Sequence, residues 1–144
     1  MIEEDTVRLL RECGAGVRMG VQAIDEALPH AQAPKLRTAL EKSKNQHLRV
    51  QDDADALLRR YQDEGKNPPA IAQSMAAAKI KMKLAMNEAD ATVADLITDG
   101  CNMGVKSLNR YLNQYAAADE KAKTVAKKLI RLEEKLTQSA GTYL

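Results

Sequence analysis

Apolar residues recur along this chain at steps of three and four, and no segment shows a convincing alternation at a period of two, so the pattern predicts helices and no sheet. Leu10, Cys13, Val17, Gly20, Ile24 and Leu28 are spaced 3, 4, 3, 4 and 4, one continuous stripe on a helix from about Asp5 to Leu28. Pro29 ends it, and Pro34 stands where the first position of the next helix falls. That second helix, about Pro34 to Glu64, carries Leu36, Leu40, Ser43, His47, Val50, Ala54, Leu57 and Tyr61 on a bundle seam. Gly65 to Pro69 breaks the chain, with Gly65 as a C-terminal cap. A shorter helix from Pro69 to about Met86 presents Ile71, Met75, Ala78, Met82 and Ala85 on the side expected to face the core. Asn87 or Asp90 caps a fourth helix running to about Tyr115. A fifth follows, with Val125, Leu129, Leu132 and Leu136 on its stripe.

These elements divide the single domain, residues 1–144, into two hairpins, 5–64 and 90–140, joined by a crossover at 65–89 that holds the short extra helix. The halves share a motif. Gly16-Val17-Arg18-Met19-Gly20-Val21 is answered by Gly100-Cys101-Asn102-Met103-Gly104-Val105, each inside a helical stretch. Glycine in a helix interior costs ~1 kcal/mol relative to alanine. The expected offset is a close approach of the first and fourth helices through these faces, with Met19 and Met103 beside the contact.

A helical hairpin duplicated about a crossover, with this G-x-x-M-G-V pair, resembles a ferritin-like four-helix-bundle family of anaerobic Gram-positive bacteria. The resemblance implies an all-α, ferritin-like four-helix bundle and no established activity. Di-iron members of such bundles use a Glu from each of two helices and a Glu-x-x-His from each of the others. No Glu here has a His three residues later, and His47 is preceded at that distance by Lys44. No metal or other cofactor is therefore expected. Met75, Met82 and Met86 read as adaptable core filler rather than a thioether site for copper.

His47 sits on the seam with Ser43 one turn earlier. A buried histidine needs a hydrogen-bond partner, and a serine or tyrosine hydroxyl would supply it. The other reading is an interior ligand site of Ser43, His47 and Tyr111, with room left by Gly14, Ala15, Gly16 and Ala23.

Composition narrows the rest. Phe and Trp are absent and only four Tyr are present, so Ala, Leu, Ile, Val and Met must build the core. The net charge is +2, too small to argue for nucleic acid or an anionic surface. It is uneven: residues 1–64 hold 10 basic and 12 acidic groups, residues 65–144 hold 12 and 8. Lysines 121, 123, 127, 128 and 135 with Arg131 lack interleaved aromatics and read as a solvated helix face rather than a nucleic-acid contact. No apolar run approaches a membrane span, and the acidic N-terminus does not look like a secretion signal. Cys13 and Cys101 fall on apolar positions as buried thiols, which with the missing signal suggests the cytoplasm. Tyr111, Tyr115 and Tyr143 mark a patch suited to a homodimer or an unknown protein partner. The leading functional expectation is a non-catalytic structural or protein-interaction module. The alternatives are a bundle binding a small apolar ligand, or a divergent metal or redox protein.

Overall fold

The computed structural model describes residues 2–144, and among them every regular element is helical. The order is α1 (Ile2–Ala27), a single 3₁₀ turn (Leu28–His30), α2 (Pro34–Arg59), α3 (Ala70–Met86), α4 (Asp90–Gln114) and α5 (Glu120–Gly141). The predicted elements are all present. Helix α2 ends earlier than its apolar spacing suggested, because the chain turns through Gln62 at φ 55° and Gly65 at φ 85°. Gly65 supplies a left-handed conformation that a side chain would strain.

Three polar contacts set the helix directions. At one end, Arg11 of α1 pairs with Asp63, just past the end of α2. The backbone N–H of Asp119 donates to Thr6 Oγ1 at 2.8 Å, so α5 starts at that same end. At the other end, the Asp90 carboxylate accepts from the N–H groups of Gln32 and Ala33 at 2.6 and 3.0 Å. Neither Asn87 nor Asp90 caps α4 as expected, since its N-cap is Ala89 without a side-chain hydrogen bond; Asp90 instead clamps the α1–α2 turn against the start of α4. Asp119 caps α5 by accepting from Ala122 N at 2.9 Å.

Helix α3 consequently returns the chain along the full length of the bundle. Helix α4 runs antiparallel to α1, and α5 antiparallel to α2. Around the bundle the neighbours are α1, α2, α5 and α4, with α1 and α5 also meeting across the centre. Helix α3 lies outside this set against α1, and more sparingly against α4. Gln22 of α1 donates to the Gln73 carbonyl at 3.1 Å, and Arg18 to the Lys66 carbonyl at 2.6 Å, holding α3 and its leading loop.

The core falls into two apolar clusters. One gathers Leu9, Leu10, Val17, Leu58, Leu108 and Leu129. The other gathers Ile24, Leu36, Leu40, Val93, Ile97 and Leu136. Burying each such side chain contributes roughly 1.5–3 kcal/mol, the main driving force for the bundle. Between the clusters lies one polar layer, Ser43, His47 and Glu133, flanked by Gly20 and Gly104.

Helix α3 corrects one expectation. Ile71, Met75, Met82 and Met86 point to solvent, with Ile71 76% and Met86 82% exposed. Ile80 and Leu84 are the residues it buries. The helix is apolar on both sides, so spacing alone did not distinguish the face that docks.

Candidate functional site

His47 is supplied by the middle of α2 and Glu133 by the middle of α5. Both occupy positions that the heptad-like spacing of their helices turns inward. In α5 that spacing runs Ala122, Ala126, Leu129, Glu133, Leu136, Ala140, all buried. His47 is 1% exposed and Glu133 7%. His47 Nε2 lies 2.5 Å from Glu133 Oε1, and His47 Nδ1 lies 2.7 Å from the Ser43 carbonyl oxygen. The Ser43 hydroxyl is further off at 3.3 Å.

At its shortest contact each ring nitrogen therefore faces an acceptor, a carboxylate oxygen or a carbonyl oxygen. A neutral imidazole can donate from one nitrogen alone, so the two shortest contacts favour the imidazolium, donating to the carboxylate and to the carbonyl. Burial, the largest single influence, disfavours the charged ring. The hydrogen bond and charge of Glu133, with the Ser43 carbonyl, outweigh burial and hold His47 above its ordinary pKa. The serine hydroxyl expected as partner is there at 3.3 Å, but the closer partners of His47 are a carboxylate and a backbone carbonyl. Glu133 escaped the sequence reading because Leu132 was placed on the stripe in its stead. An acid midway between Leu129 and Leu136 on the 3–4 spacing was the signal.

The glycines now have a different role from the one expected of them. A Cβ on Gly20 would stand 3.3 Å from Cδ2 and Nε2 of His47 and 3.6 Å from Glu133 Oε1. One on Gly104 would stand 3.3 Å from Glu133 Oε2. These two glycines make space for the ion pair, one on each side of it. A Cβ on Gly16 would meet only Leu129, at 3.8 Å, and one on Gly100 would meet nothing within 4 Å. Helices α1 and α4 are neighbours, yet what lies over Gly16 is the Leu129 side chain and over Gly100 open space, not an opposing backbone.

That space belongs to a cavity of about 420 Å³ between α1, α3 and α4, floored by α5. Gly16, Met19, Gly20, Gly100, Met103 and Gly104 all line it, as do His47, Glu133 and Tyr111; Ser43 does not line it and reaches it only through its contact with His47. Apolar walls come from Ala23, Ile24, Ala76, Ile80, Leu108 and Leu136. The small side chain of Ala76 keeps α3 from filling the gap. The rim holds the exposed Lys66, Lys79, Asp99 and Met103. Lys66 is paired with Glu12 at 2.5 Å. A second depression of about 560 Å³ on the outer side of α1 is lined by Arg18, Gln22, Asp25, Glu26, Gln51, Gln73 and Val21. It is wider, but surface polar groups form it and no buried charge faces it. The inner cavity is the better site.

Tyr111 sits away from the ion pair, its ring stacked on Tyr115 with centroids 6.2 Å apart. Burial raises its hydroxyl above the ordinary value, helped by Glu12. Cys13 and Cys101 are buried free thiols. Burial, with the charge of Glu12, pushes Cys13 up to about 12. Burial and the adjacent Glu133 carboxylate push Cys101 up as well. Neither has thiolate character for nucleophilic chemistry. His30, in the turn after α1, pairs with Glu88 at 2.8 Å. Among the described residues no group of three or more His, Cys, Asp and Glu converges in a way that could hold a metal ion. None of the helices is long and apolar enough to cross a membrane.

Comparison with known proteins leaves the geometry to speak alone: no family model matches the chain, nor does any curated protein or solved structure.

Proposed function

We propose that this chain is a non-catalytic helical binding module that holds a small, mostly apolar molecule in the cavity between α1, α3 and α4. The observation that carries this reading is the cavity itself. It has the size of small-molecule sites, which run from about 300 to 1,000 Å³, are lined mainly by apolar side chains and carry few polar groups. Glycine at 100 keeps a helix face bare beside it, and glycine at 16 leaves only the Leu129 side chain within reach. Keeping unfilled space and helical glycine is unfavourable for stability alone, at ~1 kcal/mol per glycine, which supports a use for the space. Two hairpins joined by a crossover helix, with α4 antiparallel to α1, support a ferritin-like reading of the bundle. The matching places of Gly20 and Gly104 on either side of Glu133 favour the internal repeat.

Titration of the full chain with N-phenyl-1-naphthylamine, a neutral apolar dye, tests the proposal. Saturable fluorescence enhancement is expected, together with its loss in Gly100→Leu, whose side chain extends into open space and whose thermal stability should not fall. Absence of saturable binding in the parent chain, or undiminished binding in Gly100→Leu, refutes the proposal.

A further inference from the structure

Glu133 has two oxygens, and the protein uses one. Oε1 receives the His47 imidazolium, whereas among the described residues no N–H or O–H group donates to Oε2. Besides His47, the Cys101 thiol lies beside this carboxylate and is a weak donor. The Glu133 side chain is 91% buried, its exposure being 9%, and it lines the cavity. With no N–H or O–H of the protein on it, Oε2 is the oxygen free to accept from a molecule in the cavity that Glu133 lines. We infer that the cavity's ligand is an uncharged, hydroxyl-bearing apolar molecule whose O–H donates to Glu133 Oε2. The inference rests on the cavity being a binding site.

Charge selects the head group. His47 and Glu133 together are neutral, so the cavity floor offers an acceptor without offering net charge. A carboxylate or phosphate head would bring a second anion against Glu133 in an apolar enclosure. An ammonium head would bring a second cation within the same pair, beside an imidazolium held by both its nitrogens. A hydroxyl adds no charge and supplies the donor that Oε2 lacks. The apolar walls of Ile24, Ile80, Leu108 and Leu136 then receive the hydrocarbon body. Entry lies between α3 and α4, where the exposed Lys79, Asp99 and Met103 form the rim.

Competition against the bound dye, on the full chain, distinguishes the head groups at constant tail. The probes are 1-decanol, its methyl ether, decanoate and decylammonium. Decanol should displace dye at a concentration about tenfold or more below the ether, the value of one hydrogen bond to a charged acceptor. Decanoate and decylammonium should be weaker than decanol. In Glu133→Met, decanol and its ether should become equal. Where that variant fails to fold, the comparison of alcohol with ether on the parent chain decides by itself. Equal displacement by alcohol and ether, or preference for either ion, overturns the inference and leaves the cavity reading intact. Saturable dye binding that no probe displaces overturns it too, and absence of dye binding removes the cavity reading beneath it.

Discussion

The four glycines of the repeated motif, Gly16, Gly20, Gly100 and Gly104, should divide into two kinds when each is replaced by alanine. All four replacements gain ~1 kcal/mol of helix propensity. At Gly100 nothing opposes that gain, since the new methyl meets no atom within 4 Å. At Gly104 the methyl stands 3.3 Å from Glu133 Oε2 and 3.4 Å from its carboxyl carbon. The carboxylate cannot yield freely, because it is bonded at 2.5 Å to a ring that the Ser43 carbonyl holds from the far side at 2.7 Å. Removing one partner of such a buried pair costs about 3–5 kcal/mol. Loosening it by a few tenths of an ångström forfeits part of this, roughly 2 kcal/mol on the same scale. Gly100→Ala should therefore raise stability by about 1 kcal/mol, and Gly104→Ala should lower it by about 1 kcal/mol. Thermal unfolding followed by far-ultraviolet circular dichroism resolves this, since 1 kcal/mol shifts Tm by about 2–4 °C in a chain of this size. Gly20→Ala, whose methyl meets the imidazole itself, should follow Gly104→Ala. Equal stabilisation by all of these replacements would refute the claim that Gly20 and Gly104 exist to admit the ion pair.

The raised pKa of His47 makes stability depend on pH with a definite sign. Its contribution is complete below the unfolded value of about 6.5 and is lost as pH rises through the higher folded value. As pH rises above about 6.5 the parent chain should lose Tm more steeply than His47→Gln does; parallel profiles would show that the imidazolium is not formed. On α3, Met75→Ser and Met82→Ser should change stability by less than about 0.5 kcal/mol, as exposed positions do, while Ile80→Ala on its inner face should cost about 2 kcal/mol or more. Denaturant titration compares the three, and a large loss at Met75 or Met82 would contradict the placement of that face.

The residues that were readable in advance share a property: their effect depends on spacing within one helix. The 4-and-3 steps of Leu36, Leu40, Ser43, His47, Val50 and Ala54 identify the inner face of α2, and each of these is buried. Pro29, Pro34 and the Gly65 to Pro69 break mark where helices cannot continue, because proline lacks the N–H and crowds the preceding turn. The motif at 16–21 and 100–105 likewise marked two helix faces that share one environment. The sequence alone thus determined an all-helical chain, its hairpins and crossover, and the presence of something unusual beside the glycines.

What filled that environment was decided elsewhere. His47 and Glu133 are 86 positions apart, and no local periodicity says that one helix's imidazole meets another's carboxylate. The outer face of α3 was undecidable for a related reason: with apolar residues all round, the docking face depends on which side finds Ala23 and Ile24 on α1, not on the helix itself. Local spacing fixes the direction in which a side chain leaves its own axis. Which atoms await it there, and whether they close the gap or leave a cavity, depends on the relative placement of five helices, a property that no single segment carries.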